Sequence, residues 1–267
     1  MKNIITQGLI IVALFFSTWL VVMQVDWMRV FKVETVTAKT EEKLGEIFWD
    51  IFEKSEKENK DPFVVNTIDS IVDKICSANG IDKSSLKVHV FDHDEINAFA
   101  LPAGHLLIYS GLILESDNPE ELSGVICHEI AHIQLNHVMK KLVKEVGLSV
   151  LISMASGNGG AEILKETAKL LSSTAFDRSL EKEADMKAVD YLVSAKINPL
   201  PFADFLYKLS EDEHESMKYL TWINTHPDTK KRAGYVVDYS GNKLTEPEPV
   251  LSEETWEKLK EVLKNDI

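Results

Sequence analysis

The sequence predicts an α+β protein, mainly helical, with a small three-stranded sheet and an N-terminal transmembrane helix ahead of it. Three observations predict this: an uncharged run from Asn3 to Val25, a switch to short β-rich segments between residues 86 and 110, and a return to helical spacing after Asn118. Helices, then a sheet, then helices is the order of an α+β chain, whereas a βαβ chain would alternate.

The uncharged run would extend about 35 Å as a helix, enough to cross a hydrocarbon core. It ends Val21-Val22-Met23-Gln24-Val25-Asp26-Trp27 without the small residues of a cleavage site, which favours an uncleaved single-pass anchor over a signal peptide. Trp19 and Trp27 suit a bilayer interface. Lys2 flanks one side and Arg29, Lys32 and Lys39 the other, so charge does not orient it. The short leading tail favours the amino end inside and the body on the extracytoplasmic, periplasmic side.

Residues 40–59 place Leu44, Ile47, Phe48, Ile51 and Phe52 at helical spacing, and Asp61-Pro62 ends the pattern. A second helix carries Val64, Val65, Ile68, Ile71, Val72 and Ile75 on one face and stops at Gly80, a residue suited to a left-handed cap. Strands are expected at 86–91, 95–101 and 105–110, where short β-branched or aromatic segments are separated by Asp/His and Pro-Ala-Gly turns. Asn118-Pro119-Glu120-Glu121 reads as a helix start, and that helix is expected to continue to about Val146. The uncharged stretch 146–161 is broken by glycines and reads as a buried or interfacial segment with a loop. Further helices are expected at 161–173, 174–196, 200–212, 227–239 and 252–265. The expected division is an anchor (1–26), an amphipathic helical linker (27–62), a catalytic domain (63–240) and a C-terminal helical tail (241–267).

With 267 residues, 45% hydrophobic and 27% charged, the chain is ordinary for one well-cored domain with a modest appendage. Its net charge is −14 and residues 1–40 are net positive, so the body is more acidic than the whole. Such a body repels polyanions, and short pairs such as Lys140-Lys141 and Lys230-Lys231 do not overcome that, so nucleic acid is not an expected partner. Cys76 and Cys127 offer neither a disulfide framework nor a C-x-x-C pair.

Chemistry concentrates in His128-Glu129-Ile130-Ala131-His132, an H-E-x-x-H within an expected helix. Positions four apart differ by about 40° and about 6 Å of rise, so both imidazoles reach one cation while Glu129 stands beside it. His137 would lie about 140° from His132 on a regular helix, on the far side, and is assigned a structural role. The Gly and His of a metzincin signature are absent: Leu135 and Val138 stand there. A third ligand is better found in Glu181, which shares a helix face with Asp185, while Glu183 points away from both. Glu181 completes a His₂Glu zinc site with one open position, and Asp185 can accept the second N–H of a ligating imidazole. A solvated acidic helix face would be the plain alternative without the upstream motif.

These residues resemble the membrane-linked zinc metallopeptidases that include HtpX, the CAAX prenyl proteases, BepA-like periplasmic proteases and Oma-type mitochondrial proteases. The resemblance runs from about Asn97 to Arg232 through four ordered segments: Asn97-Ala98-Phe99-Ala100-Leu101-Pro102-Ala103-Gly104, His128 to His132, Arg178 to Asp185, and Thr225-His226-Pro227 followed by Arg232. It implies a zincin-like domain with one Zn²⁺ held by His128, His132 and Glu181, with Glu129 as catalytic acid/base and Asp185 supporting a ligand. Ala103 departs from the family, where glycine is frequent, which puts the backbone there in question. His226 then becomes a catalytic candidate, either a second stabiliser of the oxyanion or a resting-state latch on the open zinc position, with Arg232 able to orient it.

Asn97, Ala98, Phe99 and Ala100 are expected to bind substrate, since an exposed edge strand ending at Pro102 would take an extended peptide through main-chain hydrogen bonds; an ordinary core strand fits them equally. The expected function is an ATP-independent metalloendopeptidase acting on unfolded or membrane-proximal proteins in quality control, with lipid contacted through the anchor. Two rivals stand beside it: a zinc-containing adaptor that binds clients without cutting them, and a deformylase-type amide hydrolase. The latter would need a cysteine ligand that neither Cys76 nor Cys127 supplies.

Overall fold

A computed structural model describes residues 33–211, 220–241, 243 and 246–266. The expected membrane anchor, residues 3–25, lies outside them, and among the described residues no helix is long and apolar enough to cross a membrane. Residues Glu41–Ile267 form one compact unit that carries the whole site.

The chain opens with α1 (Val33–Ser55) and α2 (Pro62–Asn79). Asp61 caps α2 by accepting from the Phe63 and Val64 amides, and Gly80 ends it at φ 63°, in the left-handed region that glycine enters without strain. Strands β1 (Lys87–Phe91), β2 (Ala98–Ala100) and β3 (His105–Tyr109) follow, then α3 (Ser110–Glu115). The strand order is β1-β3-β2; β1 runs parallel to β3, with Lys87 beside His105, and β2 runs antiparallel to it, with Phe99 beside Leu107.

Strand β3 is buried along its length, and its side chains alternate between two cores. Leu106 and Ile108 join α2 and the later helices in the larger core, while Leu107 and Tyr109 join Leu44, Phe48 and Phe52 of α1 on the other face. The expected linker helix therefore contributes directly to the core. So does the expected tail, α12 (Glu253–Asp266), which buries Trp256, Leu259 and Leu263.

Helix α4 (Pro119–Gln134) crosses the larger core and starts on a reciprocal cap: Asn118 Oδ1 accepts from the Glu121 amide, and Glu121 Oε2 accepts from the Asp117 amide. The expected continuation to Val146 fails. Asn136 turns left-handed at φ 58°, a conformation its short polar side chain tolerates, and α5 (His137–Glu145) begins anew. After α6 (Leu148–Ser153), a π-helical turn (Met154–Asn158) leads to α7 (Ala161–Ser173). Next come α8 (Arg178–Ser194), α9 (Leu200–Glu211), α10 (Leu220–Thr225) and α11 (Thr229–Ser240). Helix α8 starts four residues later than the spacing predicts, because Asp177 is extended (φ −62°, ψ 140°) and the Phe176 amide is donated to Thr225 O rather than to a helical turn.

Candidate metal centre

Helices α4 and α8 pack closely against each other, and that contact assembles the site. His128, His132, Glu181 and His226 each offer one ligand atom within 4.8 Å of the others, all four buried. His132 Nε2 lies 3.0 Å from His128 Nε2 and 3.4 Å from Glu181 Oε1. Glu181 Oε2 is 3.7 Å from His128 Nε2. His226, carried between α10 and α11, brings Nδ1 to 3.1 Å and 3.2 Å from the two Glu181 oxygens and 3.3 Å from His128 Nε2. Two imidazoles on one helix, a carboxylate on a second and an imidazole on a loop thus converge on one point.

A second layer holds these groups. His128 Nδ1 lies 2.8 Å from Asp185 Oδ1, one turn beyond Glu181. Arg232, fully buried on α11, makes a two-pronged contact with Asp185 (Nη2 to Oδ1, 2.7 Å; Nε to Oδ2, 2.8 Å). Its Nη1 reaches Glu181 Oε2 at 2.7 Å and donates to the His226 carbonyl at 3.1 Å. Tyr235 adds a hydroxyl donated to Asp185 Oδ2 at 2.7 Å. Trp222 stacks on His226 at 4.5 Å and Phe176 on His132 at 4.0 Å.

The charges follow from this wiring. Burial alone would push the Glu181 and Asp185 carboxyls up, but Arg232 and the facing histidines outweigh it and hold both well below the ordinary range. Burial pushes His132 and His226 down to about 4, so both present neutral rings with lone pairs. Glu129 is the opposite case: burial first, and the Glu181 charge second, hold its carboxyl well above the ordinary range. Both Glu129 oxygens and His226 Nε2 are buried without a hydrogen-bond partner, and the last two groups face each other at 3.5 Å. Buried polar atoms normally have partners, so unpaired polar atoms beside four converging ligand atoms fit a site built around a divalent cation.

Of the residues singled out in the sequence, His128, Glu129, His132, Glu181, Asp185, His226 and Arg232 come together. Asn97, Ala98, Phe99 and Ala100 lie at the sheet margin, but they are not an exposed edge: all four are buried, with α4 and α7 packed on β2. Ala103 does sit where glycine would be easier, at φ 59°. Regular-helix spacing misplaced His137. The break at Asn136 returns His137 to the site, where Nδ1 meets His132 Nδ1 at 3.1 Å and Nε2 meets Glu183 Oε2 at 3.3 Å. Asn at position 136, a residue tolerant of φ above zero, was the available signal.

An H-E-x-x-H helix, a carboxylate from a later helix and an unpaired glutamate beside them define a zinc-dependent peptide hydrolase of α+β build. The chain belongs to Peptidase family M48, whose model matches residues 64–238. It is similar to the beta-barrel assembly-enhancing protease of Escherichia coli (strain K12), 29% identical over 187 residues, covering 64% of this chain and 38% of that protein. Metalloprotease LoiP of the same organism is 31% identical over 170 residues (60% and 65%). The mitochondrial metalloendopeptidase OMA1 of Bos taurus is 28% identical over 171 residues (59% and 33%). The chain thus spans under two-fifths of the length of the assembly-enhancing protease.

Proposed function

We propose that this zinc metallopeptidase is a membrane-anchored, ATP-independent endopeptidase that cuts unfolded or damaged polypeptides in protein quality control. Residues 1–26 would supply the anchor and the lipid contact, with the catalytic body on the extracytoplasmic side. The observation that carries the reading is the unpaired, buried Glu129 carboxylate beside the convergent His128, His132, Glu181 and His226 atoms. The names of its relatives, a protease that enhances β-barrel assembly and a mitochondrial metalloendopeptidase, are those of proteases that act on other proteins, which supports a protein substrate here.

In this reading His128, His132 and Glu181 hold the metal. Zinc, when bound, acidifies water and polarises a carbonyl. With that positive charge beside it Glu129 would ionise, accept the proton of the attacking water and pass it to the departing amine. Asp185 and Arg232 keep the ligands in register. Of the two roles open to His226, the latch is the better supported, because Nδ1 sits among the ligand atoms. Opening the site then requires the loop between α10 and α11 to withdraw. Residues 97–100 serve the substrate only after α7 leaves β2, so the closed geometry describes a resting enzyme.

The test is Glu129→Gln, assayed on casein and on unfolded membrane-protein fragments alongside zinc analysis. Full zinc content with cleavage reduced at least about 100-fold is expected; undiminished turnover by the zinc-loaded variant would remove Glu129 from its role. Client binding by a wild-type protein that never cuts would instead favour the adaptor.

A further inference from the structure

His132 presents Nε2 to the other ligand atoms, so its Nδ1 must carry the ring hydrogen if Nε2 is to offer a lone pair to a metal. Across from that hydrogen, at 3.1 Å, is Nδ1 of His137. His137 Nδ1 then has to accept, which places the His137 hydrogen on Nε2, and Nε2 faces Glu183 Oε2 at 3.3 Å. One proton assignment satisfies every atom in the row: His132 Nδ1–H to His137, and His137 Nε2–H to the Glu183 carboxylate.

The two imidazoles of the H-E-x-x-H motif are therefore held by different devices. His128 leans directly on the buried carboxylate of Asp185. His132 leans on a fully buried second imidazole, which in turn leans on a carboxylate whose side chain is 53% exposed. The break at Asn136 makes this possible, since an unbroken helix would turn His137 about 140° away from His132. The rings of His132 and His137 meet edge-on at 5.0 Å, while Phe176 covers the His132 face. Lys141 lies 4.3 Å above Phe176 and donates to Leu171 O and Thr174 O, fastening that cover to the end of α7. His132 is thus fixed on one edge and one face by groups that do not touch the metal position.

We infer that His137 and Glu183 are positioning residues for zinc binding: His137 sets the tautomer and orientation of His132, and Glu183 sets those of His137. This rests on the reading of His132 as a ligand, and it predicts effects on zinc affinity, separable from catalysis. His137→Leu removes the acceptor and leaves the His132 N–H buried and unpaired, so zinc should bind about 10- to 100-fold more weakly. His137→Gln can still accept from His132 through its oxygen and donate to Glu183 through its amide, and should recover affinity to within about threefold of the parent. Glu183→Ala, at the exposed end of the row, should weaken binding several-fold.

The experiment is competition for Zn²⁺ between the full chain and a chromophoric chelator, with denaturant unfolding of each metal-free variant alongside. Weakened zinc binding in His137→Leu that His137→Gln restores supports the proposal. Parental affinity in His137→Leu overturns it, as does equal weakening in the leucine and glutamine variants, which would mean that the site needs only the imidazole's shape. Should leucine at the buried position prevent folding, Glu183→Ala decides, and parental affinity there overturns the proposal. A His132→Ala control separates the two levels: if it keeps zinc, the ligand reading fails, whereas if it loses zinc while His137→Leu does not, only the positioning role falls.

Discussion

Arg232 and Asp185 meet through two parallel contacts of 2.7 and 2.8 Å in the protein interior, and the same guanidinium holds Glu181 at 2.7 Å. One guanidinium thereby serves two carboxylates, the ligand Glu181 and its supporter Asp185. The fork geometry matters: a lysine has the charge but cannot span both partners.

Arg232→Lys should therefore fold, with zinc affinity reduced, because Glu181 and Asp185 lose their common clamp. Arg232→Ala leaves two buried carboxylates uncompensated and should destabilise by about 3–5 kcal/mol. Thermal unfolding of the two variants checks the order. Equal stability of the parent and the alanine variant would show that the pair contributes nothing.

Gly124 and Phe202 hold α4 and α9 at close range. A Cβ on Gly124 would lie 2.4 Å from Phe202 Cβ and 2.6 Å from its Cγ, near the rigid root of that side chain. Alanine would improve helix propensity by about 1 kcal/mol, but overpacking of this kind costs about 1–3 kcal/mol, so Gly124→Ala should be net destabilising. Since His128 lies one turn further along α4, zinc affinity should fall as well. A double variant with Phe202→Leu, which keeps the Cβ and Cγ that the added methyl meets, should recover little of either loss.

Far from the metal site, Lys87 donates to His105 Nε2 at 3.2 Å, His105 Nδ1 meets His89 Nε2 at 3.1 Å, and His89 Nδ1 meets Glu58 at 2.9 Å, with Trp49 stacked on His89 at 3.7 Å. Both rings are neutral in this row. Burial, then Lys87 and His89, push His105 down to about 3, and burial lowers His89 against the pull of Glu58. The unfolded chain takes up these protons near pH 6.5 and the folded one does so only at lower pH, so stability present above pH 6.5 is lost as pH falls toward 3. Urea midpoints at pH 7 and pH 5 should show this fall, and His105→Gln should flatten it. An unchanged slope would assign the acid sensitivity elsewhere.

Ala103 occupies the left-handed region at φ 59°, immediately before Gly104 at φ 75°. Relieving that strain is worth about 1–2 kcal/mol, against about 0.4–1 kcal/mol of added unfolded-chain entropy. Ala103→Gly should be neutral to stabilising, by at most about 1.6 kcal/mol. A lower melting temperature would show that the Ala103 methyl, which packs against Gly45, matters more than the strain.

The α+β order, the caps at Gly80 and Asn118, and the four-residue spacings of His128/His132 and Glu181/Asp185 were all legible in the chain, because each depends on contacts between near neighbours. Helical rotation alone says which of those side chains share a face. It does not say which helices meet, nor where a helix breaks. The approach of α8 to α4 and the entry of His226 and Arg232 among the ligands were decided by packing between segments some fifty to a hundred residues apart. So was the burial of residues 97–100 beneath α7, whereas the return of His137 to His132 follows from the local turn at Asn136. Local spacing chose the metal-binding groups; long-range burial decided which neighbours hold them still, since only a packed interior can make an unpaired nitrogen or carboxylate costly enough to fix its partner.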